Sequence, residues 1–272
     1  MPAARLATGI VRSVNYAIRD LENPFEMVQL EGVQQQAFGY GDRDLAPSSL
    51  LTVHAHMGGI VCAAFPEGSD EAVGFAYGFP ARYDDAWVMH SHILAINPAH
   101  RQSGLARRLK LHQRARAETM GYALMTWTFD PLIARNARLN LGKLGARAVS
   151  YHEDWYALRG GIYAGLPADR FIVNWDLTRP SQEHPAPKPD GEPALEANGN
   201  AAGIPNLERT APRVLIEVPR DIEALKNTNL EAARSWRDAH RVVFPHYLKR
   251  GYVVTDLSVD GERTFYQLET MS

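Results

Sequence analysis

Leu94-Ala95-Ile96-Asn97-Pro98-Ala99-His100-Arg101-Gln102-Ser103-Gly104-Leu105-Ala106-Arg107-Arg108-Leu109 is an apolar strand that stops, turns and becomes a helix. Asn97-Pro98 ends the strand because proline cannot donate to a central ladder. The helix that follows begins with N–H groups that have no intrahelical acceptor and with the positive end of its dipole, and both favour an anion. Small residues at Ser103, Gly104 and Ala106 would let the main chain come close to a diphosphate. Arg107, Arg108 and Lys110 add positive charge beside it. An ordinary strand-to-helix turn with a solvated basic face fits these residues as well, and composition alone leaves both readings open.

On either side, strand-like and helix-like segments alternate. Val14 to Leu21 reads as a strand, and Asn23-Pro24-Phe25-Glu26 as the start of a helix running to about Phe38. A second helix covers Pro47 to Met57. Ile60 to Phe65, Ala72 to Phe79 and Ala86 to Ile96 are rich in β-forming residues. After the quoted run come a helix to Met120, a strand from Tyr122 to Phe129, a helix from Ala134 to Leu144, and strands at Ala146 to Tyr156 and Phe171 to Leu177.

The spacing Arg101-x-x-Gly104-x-Ala106 after Leu94-Ala95-Ile96 resembles the signature of the GNAT acyltransferase superfamily, and the order of elements agrees over roughly residues 10 to 178. The resemblance implies an α/β fold with a mixed, mostly antiparallel central sheet flanked by helices, splayed where the strands ending at Ile96 and Phe129 part. It implies acetyl-CoA or another acyl-CoA as co-substrate. Backbone groups of Leu94 and Ile96 would meet the pantetheine arm, and Gln102, Ser103, Gly104, Leu105, Ala106 and Arg107 would cradle the pyrophosphate. Asn136 would reach the arm from the next helix. Family members often carry a tyrosine, the acid for the leaving thiolate, where this chain has Leu141. Tyr122, Tyr151, Tyr156 and Tyr163 are substitutes by residue type. Where the family often places a glutamate base, this chain has His92.

An imidazole can take a proton from an amine near neutral pH. Strict alternation would put His90, His92, Leu94 and Ile96 on one face. Asp84, Asp85 and Glu153 are further acidic candidates, and packing is the bland alternative for each histidine. His90-x-His92 also has metal-ligand spacing, but no third ligand motif accompanies it, so no metal is expected. His54 and His56 read as unrelated to the site. The only cysteine, Cys62, lies in an early strand away from the motif, which argues against a covalent thiol route.

From Arg179 to Pro212 seven prolines fall among 34 residues, a linker composition. The expected organisation is therefore a catalytic domain over 1–178, a linker over 179–212 and a βαββ extension over 213–272. So small a unit must dock on the first domain or on another subunit, where it could mediate a homodimer. A faint echo links Leu144-Gly145-Ala146 with Arg250-Gly251-Tyr252. With 29 Lys and Arg against 31 Asp and Glu, the formal charge of −2 gives no pull toward nucleic acid. No apolar run suggests a membrane span or signal peptide, so a cytoplasmic setting is expected. The combined expectation is an N-acyltransferase acting on a small-metabolite amine such as an amino acid, with acetyl or succinyl as the acyl group. The missing tyrosine motivates a rival, a catalytically idle acyl-CoA sensor on the same fold.

Overall fold

Asn23 caps the first helix as its sequence requires, its side chain accepting the Phe25 N–H at 3.0 Å. In this computed structural model, which describes residues 15–157, 165–181 and 183–270, the helix comes in two pieces broken at Val28. They are α1 (Pro24–Met27) and α2 (Gln29–Phe38). α3 (Ser48–His56) completes this group. Strands β1 (Tyr16–Asp20), β2 (Ile60–Pro66), β3 (Gly74–Tyr83) and β4 (Ala86–Ile96) form an antiparallel meander. α4 (Leu105–Thr119) crosses to β5 (Leu124–Phe129), parallel to β4. α5 (Ala134–Ala137) runs into a π-helical turn, Arg138–Lys143, before β6 (Arg147–Tyr156) and β7 (Ala168–Asp176).

The two faces of the sheet carry different helices. Met27, Leu30, Val33 and Leu51 of α1 to α3 pack against Phe75 and Tyr77, while Leu105 and Leu109 of α4 pack on Cys62, Ala64 and Ala76 from the opposite side. Period-two alternation in β2 and β3 supplies both layers, which is why these strands are apolar on both faces.

The proline-rich stretch is part of the fold. It holds β8 (Glu192–Leu195) and a small hairpin, β9 (Ala197–Asn198) with β10 (Ala201–Ala202). β11 (Arg213–Val218), α6 (Ile222–Thr228), α7 (Leu230–Lys249), β12 (Tyr252–Asp260) and β13 (Arg263–Thr270) follow. Pro245 lies inside α7, which nevertheless continues to Lys249 instead of dividing there. The eleven-stranded sheet runs β1-β2-β3-β4-β5-β7-β6-β12-β13-β11-β8.

That order is a mirror. Across the β6–β12 seam, β4-β5-β7-β6 faces β8-β11-β13-β12. Parallel β4/β5 matches parallel β8/β11, and the remaining pairs on both sides are antiparallel. Gly145 and Gly251, the echo seen in the sequence, occupy equivalent corners ahead of the two seam strands, at φ 77° and 85°.

Direct pairing at the seam is slight, Val254 opposite Ala148. A buried ionic network does more. Arg237 of α7 donates through Nη2 to both oxygens of Asp130, just past β5, at 2.8 and 2.9 Å. Arg241 binds both oxygens of Asp169 in β7 at 2.7 and 2.8 Å, and Tyr151 donates to the same carboxylate at 2.6 Å. Burial alone would raise the Asp169 carboxyl, but these donors hold it below the ordinary aspartate range. Tyr266 adds a bond to the Pro131 carbonyl at 2.6 Å.

Removing one member of a buried pair strands its partner, so Arg237→Ala should cost about 3–5 kcal/mol in urea unfolding. A loss below about 1 kcal/mol would show that this pair does not tie the C-terminal unit to β5.

Candidate active site

β4 and β5 are hydrogen-bonded only at Met89 with Met125 and His90 with Thr126. Beyond that point Ser91–Ile96 and Trp127–Phe129 part, and a cleft of about 400 Å³ opens between them. His92 and Leu94 line one side and Trp127 and Asp130 the other, with Asn136, Asn140, Tyr156 and Arg170 toward the C-terminal half. Lys110 of α4, though buried, also lines the cleft.

A bulge sets the geometry of the β4 wall. Tyr77 pairs with Ile93 but Gly78 with Ser91, so His92 is an extra residue. This corrects the expectation that His90, His92, Leu94 and Ile96 share a face. His90 and His92 contact the Phe79 ring at 5.4 and 5.7 Å on the α1–α3 side. Leu94 and Ile96 instead pack with Leu105 and Leu109 of α4, because the inserted residue reverses the alternation. Gly78 is required opposite the bulge. A Cβ there would lie 2.8 Å from the His90 carbonyl oxygen and 2.9 Å from Gln113 Nε2. The space it leaves lets Gln113 reach Ser91, whose hydroxyl donates to Oε1 at 2.7 Å.

The histidines differ in character. Burial, then the neighbouring His92 and Lys110, push His90 down to about 4, and its Nδ1 lies 3.1 Å from the Thr126 hydroxyl. His92 is also lowered, by burial and then by His54, so its neutral, proton-accepting form dominates at neutral pH. His54, read from the sequence as unrelated, is hydrogen-bonded to the Tyr77 hydroxyl and stacks on that ring. Tyr77 in turn meets His92 edge-on at 5.9 Å. Asp84 and Asp85 sit in the β3–β4 turn, and Glu153 lies 3.6 Å from Arg241; none lines the cleft.

Past the end of β4, Gln102 and Gly104, which are not among the residues lining the cleft, adopt left-handed conformations, φ 63° and 78°. The chain thereby turns so that, among the described residues, no acceptor meets the N–H groups of Gln102, Ser103, Gly104, Leu105, Ala106 and Arg107. The arginines are used otherwise than their charge suggested. Arg101 donates to the Ala37 carbonyl at 2.6 Å and Arg108 to that of Tyr16 at 2.8 Å. Arg107 pairs with Glu183 at 3.3 Å. Leu105 is buried, so only its backbone faces the turn. Ser103 Oγ donates to the His100 carbonyl.

Leu141 is buried in the core, and the extra residue of the π-helical turn leaves Leu139 and Asn140 on the cleft. Of the substitute tyrosines, Tyr156 alone among the described residues lines it, with Arg170 over its ring at 5.2 Å. Tyr151 is held in the ionic network, Tyr122 packs at the core margin, and Tyr163 lies outside the described residues. Cys62 is buried in β2, its thiol pushed up to about 12 by burial, far from the reactive thiolate range. Among the described residues no group of three or more His, Cys, Asp or Glu side chains is placed to hold a metal ion. No helix among them is long and apolar enough to cross a membrane.

No family model and no curated protein matches the sequence. Solved structures do match. One from Acinetobacter baylyi ADP1, described as an acetyltransferase, superposes with TM-score 0.52 at 15% identity, covering 65% of this chain and 98% of its own. The fold is the GNAT fold. A Salmonella typhimurium acetyltransferase structure with acetyl-CoA is also similar (18% identity, 64% of this chain, 98% of that one, TM-score 0.49). So is the Escherichia coli ribosomal-protein-S18-alanine N-acetyltransferase (16%, 63% and 99%, TM-score 0.49). At such identity the likeness establishes architecture and leaves the chemistry to the residues.

A Cβ at Gly104 would meet no atom within 4 Å, so a larger side chain would stand in front of the unpaired amides. Gly104→Ala should cost about 1–2 kcal/mol of backbone strain, whereas Gly104→Trp should weaken CoA binding at least about tenfold, roughly 1.4 kcal/mol by calorimetry. Unchanged affinity in a folded Trp variant would detach the turn from phosphate binding.

Proposed function

We propose that this chain is an acyl-CoA-dependent N-acyltransferase of a small-metabolite amine, acting by direct attack within a ternary complex. A cytoplasmic setting belongs to the same proposal. One observation carries it: six consecutive N–H groups without an acceptor, at the start of the fifteen-residue helix that follows β4, the strand that parts from parallel β5 to open the cleft. The donors fit a diphosphate. Unpaired backbone edges along Leu94 to Ile96 fit the amides of an extended arm, with Asn136 across from them.

The acceptor side suits a small polar amine. Tyr40 and Asp44 to Pro47 line the cleft, and Asp130, Tyr156 and Arg170 offer polar contacts. His92 is the base. As the amine nitrogen bonds to the thioester carbon, the neutral imidazole takes its proton, and holding both reactants in one cleft does much of the remaining work. The buried Leu141 favours a second reading, an idle acyl-CoA sensor. A matrix of acetyl-CoA and succinyl-CoA against amines, read by thiol release, separates the two. Release with an amine supports the enzyme, and tight CoA binding with no release from any pair supports the sensor.

His92 acts while unprotonated and its pKa is lowered, so the acidic limb of the rate should lie below the ordinary imidazole range near 6.5. His92→Ala should lower kcat by about 100-fold at pH 7 and remove that acidic limb, with CoA affinity little changed. A variant with the same pH–rate profile as the parent would return His92 to a packing role.

A further inference from the structure

Lys110 is the buried charge that the preceding chemistry does not use. It is 2% exposed, on the sheet-facing side of α4, and opens onto the cleft where β4 and β5 part. Its Nζ lies 3.2 Å from Gln113 Oε1, an oxygen already shared with Ser91, 3.5 Å from Met125 Sδ and 3.8 Å from the centre of the Trp127 ring. Among the described residues no carboxylate pairs with it. The groups facing it from neighbouring elements are Cys62 of β2, His90 of β4, Met125 and Trp127 of β5 and Trp175 of β7. Both titratable members of that set are uncharged at neutral pH.

An ammonium buried without a counter-ion costs stability. Packing does not explain it either, because a methionine would fill the same volume without the charge. Its position gives it a use. From Ile96 back to Ser91 is five residues of β4, about 17 Å of strand. An arm of about that length entering from the Gly104 turn along that strand would end beside Lys110. The opposite helix presents Leu141 to the core and Asn140 to the cleft, so it brings no acid there.

We propose that Lys110 is the proton donor to the departing CoA thiolate. This rests on the acyltransferase reading of the cleft. As the C–N bond forms and the C–S bond breaks, the electron pair goes to sulfur and Lys110 Nζ–H protonates it, giving the free thiol and a neutral lysine amine. The proton that His92 takes from the acceptor passes to solvent, and Lys110 regains one from solvent. Burial lowers the Lys110 ammonium to about 7, opposed by the nearby Cys62, so it can give up a proton and recover it near neutral pH.

The test uses the full chain with acetyl-CoA and the most active amine of the matrix. Lys110→Met should lower kcat by about 100-fold while CoA affinity stays within about threefold. Its melting temperature should stay level or rise, which a purely structural lysine would not permit. Parent kcat should fall as pH rises through about 7. Lys110→Arg, whose guanidinium stays protonated, should lose that alkaline limb. A folded Met variant with kcat within threefold of the parent overturns the proposal, as does an Arg variant with the parent's alkaline limb should the Met variant not fold. If the parent itself releases no thiol with any amine, the acyltransferase reading fails first and Lys110's role fails with it.

Discussion

Everything at the centre of this molecule follows from a ladder that stops. Two parallel strands share hydrogen bonds as far as His90 and Thr126 and then diverge. Divergence inside a sheet is costly, because it leaves backbone groups without partners in a partly desolvated place. Lys110 of α4 and, from the α2–α3 connection, Tyr40 and Asp44 to Pro47 line the gap, and the bulge at His92 lies in β4 just where the pairing with β5 stops. The exposed edge of β4 leads in sequence into the unpaired amides of the turn. A ligand with an extended chain of amides at one end and phosphates at the other, as proposed, would satisfy both.

The charges around the gap are sorted by depth. Lys110 lies beneath it among aromatic and sulfur groups, while Arg170 stands on the far wall beside Asp130. Asp130 is already bound through both oxygens by Arg237 of the C-terminal unit. That unit is therefore the outer half of the cleft's own electrostatic frame. Docking of α7 thus adds to the bonds that orient Asp130, which also accepts the Leu132 N–H and pairs with Arg170.

The turn at Gln102 to Arg107 was legible because it depends on local residues: a strand end, small side chains and a helix start. The element order was legible for the same reason. The bulge at His92 was not, since it arises from the register between β3 and β4, and no single-strand pattern reveals an inserted residue. The π-helical turn at Arg138–Lys143 likewise puts Asn140 on the cleft and Leu141, the position matching the family's tyrosine, in the core. Asn136 and Asn140, four apart, were a signal of a shared helix face that could have been read. So was Lys110, a cation next to the Leu105, Leu109, Gln113 stripe that α4 buries. Asp130 depended on Arg237, 107 positions away, and Arg170 on Asp130 and Tyr156 in other parts of the chain, so neither could have been found locally.

The mirrored order of strands has a consequence of its own. β6 would end the sheet of the first unit, an edge inviting another chain. Here the chain covers that edge with its own β12, so the seam forms between segments joined by backbone. Its effective concentration is set by the length of the connection and does not depend on how much protein is present. Dilution, which opens a seam between separate subunits, cannot open this one. The docking of Arg237 on Asp130, and with it the shape of the cleft, is therefore the same in a scarce protein as in an abundant one.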